Sequence, residues 1–109
     1  MSVFDTGSGS DAIKVVTGSY VGDGRSGQYN RKTLTFPGRP MLGVIMGDQD
    51  HTSALYFARP AIWAQLSGEV TGWSYTTWGE NQVSFYDLAP EFMQNESGVT
   101  YTYTFICEV

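Results

Sequence analysis

The chain has 109 residues, a hydrophobic fraction of 41% and only 16% charged side chains, which together predict one folded domain with no room for a second core. Its net charge is −5 and its six basic residues are scattered, whereas nucleic-acid binding needs clustered Lys and Arg side chains, so we expect no nucleic-acid partner. No apolar stretch approaches the roughly 20 residues of a membrane helix, which argues against membrane insertion.

The first eleven residues are rich in Gly and Ser and predict a flexible lead-in (1–11) to a single domain (12–109). They lack the basic start and apolar core of a secretory signal. Beyond them, strand patterns recur between Gly, Pro, Asn and Asp residues, and the one helical candidate (60–66) is short and has no N-cap. Because crossover helices are missing, we predict an all-β fold, an antiparallel β-sandwich of about six to eight strands. The predicted strands are 12–20, 32–36, 41–47, 54–58, 62–66, 70–78, 83–86 and 99–109.

The first loop, at residues 22–27, has the glycine content of a phosphate-binding loop. It lacks the Lys-Ser/Thr ending and the following helix whose N-terminus would bind phosphate. We therefore interpret it as a flexible surface loop.

The segment Met41 to Met46 (MLGVIM) is apolar on both faces of its predicted strand. A sheet in a two-layer domain meets the core with one face only, so the second face of this strand needs another cover. We favour a second subunit over a loop, which makes Leu42, Val44 and Met46 candidate oligomer-interface residues. Gly43 in mid-strand allows either a close backbone approach or a bulge.

Asp48, Asp50 and His51 occupy the loop after this strand and form a candidate ligand-binding group. Alternating carboxylates can converge on calcium, and Asp–His pairs can hold zinc or iron. Arg59 stands where an EF-hand needs a bidentate Glu, so the segment is not an EF-hand. We favour a solvated turn whose carboxylates accept backbone amides, with no metal. In an oligomer, copies of His51 near a symmetry axis could still gather a metal or an anion.

Two tryptophans of one predicted strand, Trp73 and Trp78, have opposite parity and cannot share a face unless a bulge intervenes. If Trp73 and Tyr75 pack inward, Trp78 faces outward beside the turn at residues 79–81. A tryptophan at the rim offers a flat apolar surface for the C–H face of a sugar, and neighbouring polar groups can bind its hydroxyls. The candidate saccharide-binding residues are therefore Trp78, Glu80, Asn81 and Gln82.

The last predicted strand alternates with period two. Its core face is predicted to carry Val99, Tyr101, Tyr103, Phe105 and Cys107, with threonines on the other face, and Gly98 can adopt a positive φ in the turn before it. Cys107 has no partner for an internal disulfide and is predicted to be a buried thiol, which suits synthesis in a reducing cytoplasm.

The order of several motifs resembles a domain found repeatedly in phage tail and tail-fibre proteins. The first is IKVVTGSYVGDGRSGQYNRKTLTFPGRPMLGVIMG; Trp78-Gly79, VSFY, Gln94-Asn95 and GVTY then follow, so that the pattern spans residues 13–105. The resemblance implies a β-sandwich, usually homotrimeric and in some cases similar to trimeric H-type lectins. It also implies a place in a virion or prophage appendage, made in the cytoplasm of a bacterial host.

Two departures from this family leave the context open. Its members generally sit at the end of long fibre proteins, whereas little precedes the domain here, and the ending Cys107-Glu108-Val109 differs from the usual small residues. The chain therefore fits an excised domain, a stand-alone decoration or head-fibre protein, or a free-standing tip.

We expect neither enzymatic activity nor a cofactor. A catalytic triad would need a nucleophile oriented by His51, and the G-x-S-x-G elbow is missing. A glycosidase needs two carboxylates about 5–5.5 Å or 6.5–9.5 Å apart, and nothing selects a pair among the eleven acids. Two functions remain open, and we place the first ahead: a receptor-binding domain that binds host-surface saccharide, or a structural module that contacts only other virion proteins.

Overall fold

The computed structural model describes residues 12–109, and the predicted lead-in at residues 1–11 lies outside this range. Every predicted strand is present, with each bound shifted by two residues or fewer, so the all-β antiparallel prediction is confirmed. The helical alternative at residues 60–66 is not formed, because a strand starts at Trp63. The strands are β1 (Ile13–Val21), β2 (Lys32–Thr35), β3 (Arg39–Met46), β4 (Ala54–Ala58), β5 (Trp63–Ser67), β6 (Gly72–Trp78), β7 (Gln82–Tyr86) and β8 (Thr100–Glu108), with short 3₁₀ helices at Gln28–Asn30 and Pro90–Met93.

All eight strands belong to one antiparallel sheet in the order β1-β8-β3-β4-β5-β6-β7-β2. The sheet curls, so that its two halves face each other across a common core. The ring of Phe57 on β4 therefore lies 5.1 Å from that of Phe85 on β7, and 5.4 Å from that of Phe105 on β8. At the two edges, the Lys32 ammonium of β2 lies 4.4 Å from the centre of the Tyr20 ring of β1.

The alternation of β8 places its aromatic residues in the core, as predicted. Tyr101, Phe105 and Cys107 are almost completely buried, Tyr103 is partly buried, and the threonines of the opposite parity are exposed. Burial raises the pKa of the Cys107 thiol. The turn before β8 contains Gly98 at a φ of 79°, a positive value of the kind that the sequence analysis expected Gly98 to be able to adopt.

Gly43 lets the Phe105 ring lie directly against the backbone of β3. The two residues are paired across β3 and β8, and a Cβ atom at Gly43 would stand 2.3 Å from the Phe105 ring. Gly43 therefore allows a close approach by the Phe105 ring on the core side, whereas the sequence predicted a close backbone approach at the outer face or a bulge; the irregularity of β3 lies between Pro40 and Leu42.

Two buried amides join the loops at one end of the sheet. Gln94 donates from Nε2 to the carbonyl oxygens of Ile45 (3.0 Å) and Ser53 (2.9 Å). Asn95 donates from Nδ2 to Asp23 (2.7 Å) and to the carbonyl of Arg25 (3.0 Å), both in the glycine-rich loop. That loop is therefore held against the turn before β8 by specific hydrogen bonds. No helix within residues 12–109 is long and apolar enough to cross a membrane.

Candidate functional site

The outer face of the sheet is unusually poor in charge. Away from the strand ends, where Arg39 and Glu108 lie, the outward residues of six neighbouring strands are all uncharged. Charge depletion of this kind marks the core of contact surfaces, because burying an unpaired charge is costly. These outward residues are Val15, Thr17, Ser19, Thr102, Thr104, Ile106, Leu42, Val44, Met46, Ala54, Tyr56, Ala58, Trp63, Gln65, Ser67, Trp73, Tyr75 and Thr77.

One half of this face is aliphatic, and we call it the aliphatic patch (Val15, Leu42, Val44, Met46 and Ile106). Val15, Ile106 and Leu42 are aligned in register across β1, β8 and β3. The exposed fractions of Leu42 and Met46 are 50% and 52%, whereas Ile45 between them is fully buried. The predicted interface residues of β3 therefore share the outer face, and within the single chain this second apolar face of β3 lies on the surface.

The other half is aromatic, and we call it the aromatic platform (Trp63, Trp73, Tyr75 and Tyr86). The Trp63 and Tyr75 rings meet edge to face at 5.6 Å, and the Tyr75 and Tyr86 rings lie 5.5 Å apart. Trp63 and Trp73 are each about half exposed, at 52% and 53%. The Trp63, Tyr75 and Tyr86 rings therefore support one another in a row across three paired strands, and Trp73 stands beside this row on β6.

A groove of about 540 Å³ runs between the aliphatic patch and the platform, and its walls are almost entirely apolar atoms. A smaller cleft of about 270 Å³ lies between the indoles of Trp63 and Trp73. The principal polar side chains along the groove are Tyr56, Gln65 and Thr104. The residues lining the groove are Leu42, Gly43, Val44, Tyr56, Phe57, Ala58, Ala61, Trp63, Gln65, Trp73, Thr104 and Ile106.

The predicted outward Trp78 is reversed in the structure: Trp73 and Tyr75 face outward and Trp78 turns toward the core. The Trp78 ring packs edge to face on Phe57 at 6.4 Å, and its Nε1 donates a hydrogen bond to the Ala61 carbonyl (2.8 Å). The Arg59 guanidinium covers it at 4.9 Å from the ring centre. Trp78 is thus held on several sides and offers less open ring surface than Trp63 or Trp73.

The remaining predicted site residues fall into two separate groups. Glu80 and Asn81 are exposed in the β6–β7 turn and Gln82 is exposed at the start of β7, where its carbonyl accepts a hydrogen bond from the Gly79 backbone. Asp48, Asp50 and His51 lie in the β3–β4 loop, at the opposite end of the strands. The antiparallel strand order therefore keeps the two groups from forming one site.

His51 is held between two carboxylates. Its Nδ1 lies 2.7 Å from Asp48 Oδ1, and its Nε2 lies 3.2 Å from Glu96 Oε2 in the turn before β8. The hydrogen bond to Asp48, aided by the negative charges of Asp48 and Glu96, raises the pKa of His51. The same hydrogen bond, aided by the backbone amide of Asp50 and the charge of His51, lowers the pKa of Asp48. Asp48 also accepts the Asp50 amide, which confirms the predicted turn. Across residues 12–109, no group of three His, Cys, Asp or Glu side chains is arranged to hold a metal ion.

We predict that His51 titrates above the ordinary value of 6.5 and that Asp48→Asn moves its pKa back toward that value. The His51 contribution to stability is then present below pH 6.5 and is lost as the pH rises through the raised pKa. The contribution of Asp48 to stability is present above its ordinary pKa of 3.8 and is lost as the pH falls through its lowered pKa. The pair therefore contributes most between these ordinary values.

The measurement is an NMR titration of the single histidine ring. Asp50→Asn is the matched control, because Asp50 shares the loop and contributes least to the raised pKa of His51. Equal effects of the two substitutions would contradict the assignment to Asp48.

The aromatic platform was not predicted from sequence. The signal was present in β5, where Trp63, Gln65 and Ser67 alternate with the buried Ala64 and Leu66. Comparisons of the chain with protein-family models, with curated proteins and with solved structures found no match. The site is therefore interpreted from its own geometry.

Proposed function

We propose that this chain is a non-catalytic domain of a phage-type virion appendage, which assembles as a homotrimer and attaches to host-surface saccharide. The order of the motifs, which resembles that of tail-fibre domains, supports both the place in an appendage and the homotrimeric state. The outer face supports a binding function, since it offers an aliphatic patch to other protein chains beside exposed tryptophans for a ligand. In this proposal the aliphatic patch contacts neighbouring copies of the chain. Other virion proteins bind the resulting trimer, which is located on the virion.

The observation that carries the proposal is the uncharged, apolar outer face. Six of its large side chains are about half exposed: Val15, Leu42, Met46, Tyr56, Trp63 and Trp73. At about 200 Å² for a fully exposed aromatic side chain, Tyr56, Trp63 and Trp73 alone leave about 300 Å² open to solvent. The aromatic residues alone thus reach the size of the largest apolar patch on a typical monomeric protein, about 300–600 Å², and such patches are often functional.

The proposed lack of catalysis is supported by the state of the reactive side chains. Both ring nitrogens of His51 face carboxylates, so neither is free to activate a nucleophile. Cys107 is fully buried and its raised pKa disfavours the reactive thiolate.

We predict that the native chain sediments as a trimer and that the double variant Leu42→Glu/Met46→Glu sediments as a monomer. Both side chains are half exposed, so the folded subunit tolerates the change, whereas a contact between copies would bury unpaired carboxylates. We expect association to weaken by about 100-fold or more, since misplaced charges at an interface cost several kcal/mol. Sedimentation velocity measures the masses.

Leu88→Glu is the matched control for this experiment, because Leu88 is exposed on the loop after β7 and lies off the outer face. It should remain a trimer. A native chain that stays monomeric at high concentration would overturn the proposed assembly.

The alternative function is a purely structural decoration, head-fibre or fibre-shaft module without a ligand. The nearly complete apolar lining of the groove favours it, because a protein side chain fills such a groove better than a hydroxylated sugar does. The aromatic platform distinguishes the two functions.

A further inference from the structure

We propose that the aromatic platform is the saccharide-binding site and that its ligand is a neutral oligosaccharide. The inference rests on the attachment function proposed above, but it requires no particular oligomeric state. It moves the candidate site from the Trp78 turn to the outer sheet face.

The first argument is the geometry of the rings. Gln65 pairs with Trp73 across β5 and β6, and Trp63 pairs with Tyr75, so the two tryptophans are diagonal neighbours on one face. Diagonal neighbours are about 7–8 Å apart at their Cα atoms, which places two indoles beside a common cleft. Flat rings at this spacing offer separate stacking surfaces to linked sugar units.

The second argument is rigidity. Trp63 is braced edge to face by Tyr75, which in turn contacts Tyr86. The Arg31 guanidinium covers the far end of this row at 5.2 Å from the Tyr86 ring centre. A site on paired strands loses little conformational entropy when a ligand binds, so weak stacking contacts are retained in the net affinity.

The third argument is the placement of polar groups. Tyr56, Gln65 and Trp73 are in register across β4, β5 and β6. The Gln65 amide both donates and accepts hydrogen bonds, and the Tyr56 hydroxyl does the same. These groups stand beside the exposed rings, where they can bind sugar hydroxyls while the rings contact the C–H faces.

Charge selects the ligand class. The register row Thr17–Thr104–Val44–Tyr56–Gln65–Trp73 contains no ionised group. An acidic sugar on the two tryptophans would lose hydration there, and the Arg31 guanidinium at the Tyr86 end of the platform is already engaged by the Tyr86 ring and the Thr77 hydroxyl. The platform therefore favours neutral sugars over uronic or sialic acids.

The test combines a glycan array with calorimetric titrations, because the variants remove two of the three tryptophans that a fluorescence signal would follow. Chitotetraose, cellotetraose and maltotetraose are the neutral probes, and tetragalacturonate is the acidic one. We expect a neutral glycan to bind, with Trp63→Ala and Trp73→Ala each weakening binding by about tenfold or more, as for truncation of a central aromatic anchor. Gln65→Ala should also weaken binding, and Tyr29→Ala is the control, because Tyr29 is an aromatic residue 92% exposed outside the platform.

Four results would overturn the inference: no neutral glycan bound by the native chain, binding unchanged in the Trp63→Ala/Trp73→Ala variant, a preference for acidic glycans, or loss of the oligomer in that variant without any glycan binding. The last result would show that another copy occupies the platform. Circular dichroism confirms that each variant is folded. Sedimentation of the same samples tests the proposed assembly separately, since a monomer that binds neutral glycan would refute the trimer and retain the site.

Discussion

Replacing Phe105 by alanine is expected to lower the free energy of unfolding by about 3–5 kcal/mol, the usual cost of removing a buried aromatic ring. The Phe105 ring is fully buried and contacts Phe36 at 4.8 Å and Phe57 at 5.4 Å. These neighbours come from opposite halves of the curled sheet, so no single strand can move to fill the cavity. A typical domain has only about 5–15 kcal/mol of stability, so we expect a large shift of the urea midpoint.

The close contact with Gly43 provides an internal control for this prediction. Gly43→Ala alone should cost about 1–3 kcal/mol, because its new methyl group would overlap the Phe105 ring. In the Phe105→Ala background the methyl group enters the cavity, and the added cost should fall. Tyr29→Ala, which removes an exposed ring, should stay within about 0.5 kcal/mol of the native chain. Additive effects of the Gly43 and Phe105 changes would contradict the described contact.

Replacing Gln94 by alanine is expected to cost about 2–4 kcal/mol, because two hydrogen bonds are lost and two carbonyl groups are left without their donor. The Gln94 side chain is only 3% exposed, so water cannot easily replace it. It fastens the end of β3 to the residue before β4, and thereby fixes the loop that carries His51. Urea denaturation measures the loss.

The backbone of Gln94 requires a second variant. Its φ of 54° strains any residue with a Cβ atom, so alanine and glutamine share the strain and differ in the side chain alone. Gln94→Gly relieves the strain but also lacks the amide, and it should remain less stable than the native chain. If Gln94→Gly were as stable as the native protein, the two hydrogen bonds would be unimportant. Gln82→Ala, at an exposed amide, is the matched control.

The strands could be predicted because their signals are local. In β8 alternate residues are aromatic or aliphatic and the others are threonines, and each face of a strand meets a single environment. The turns are marked by glycines, as at Gly98, whose positive φ its residue type allows. Neither feature depends on which strands become neighbours.

The orientation of the tryptophans in β6 depends on distant strands. Parity alone therefore allowed either Trp73 or Trp78 to face the core. The inward residues Ser74 and Thr76 are small and almost fully buried, and the Ser74 hydroxyl donates to the Phe92 carbonyl (2.7 Å). The core of the curled sheet already contains the buried rings of Phe57, Phe85 and Phe105 from β4, β7 and β8. The spatial order of the strands decides this packing, and no local pattern contains it.

The candidate site was only partly predictable for a similar reason. The outward set of β3 followed from its two apolar faces, whereas the platform is assembled from residues of three strands. The separation of Asp48 and His51 from Glu80 likewise follows from strand direction in the completed sheet. The appendage function, which depends on the motif resemblance, stays a prediction.

The position of β8 has a consequence for how the protein is made. This strand is the last of the eight to be synthesised, yet it lies between β1 and β3 and supplies ordered pairing to both. Until residues 100–108 have left the ribosome, β1 lacks its partner among residues 12–109, and one side of β3 is an open edge beside apolar side chains. Such edges readily pair with other chains. Before β8 emerges, the nascent chain thus exposes strand edges that are open to mispairing, above all between copies synthesised close together.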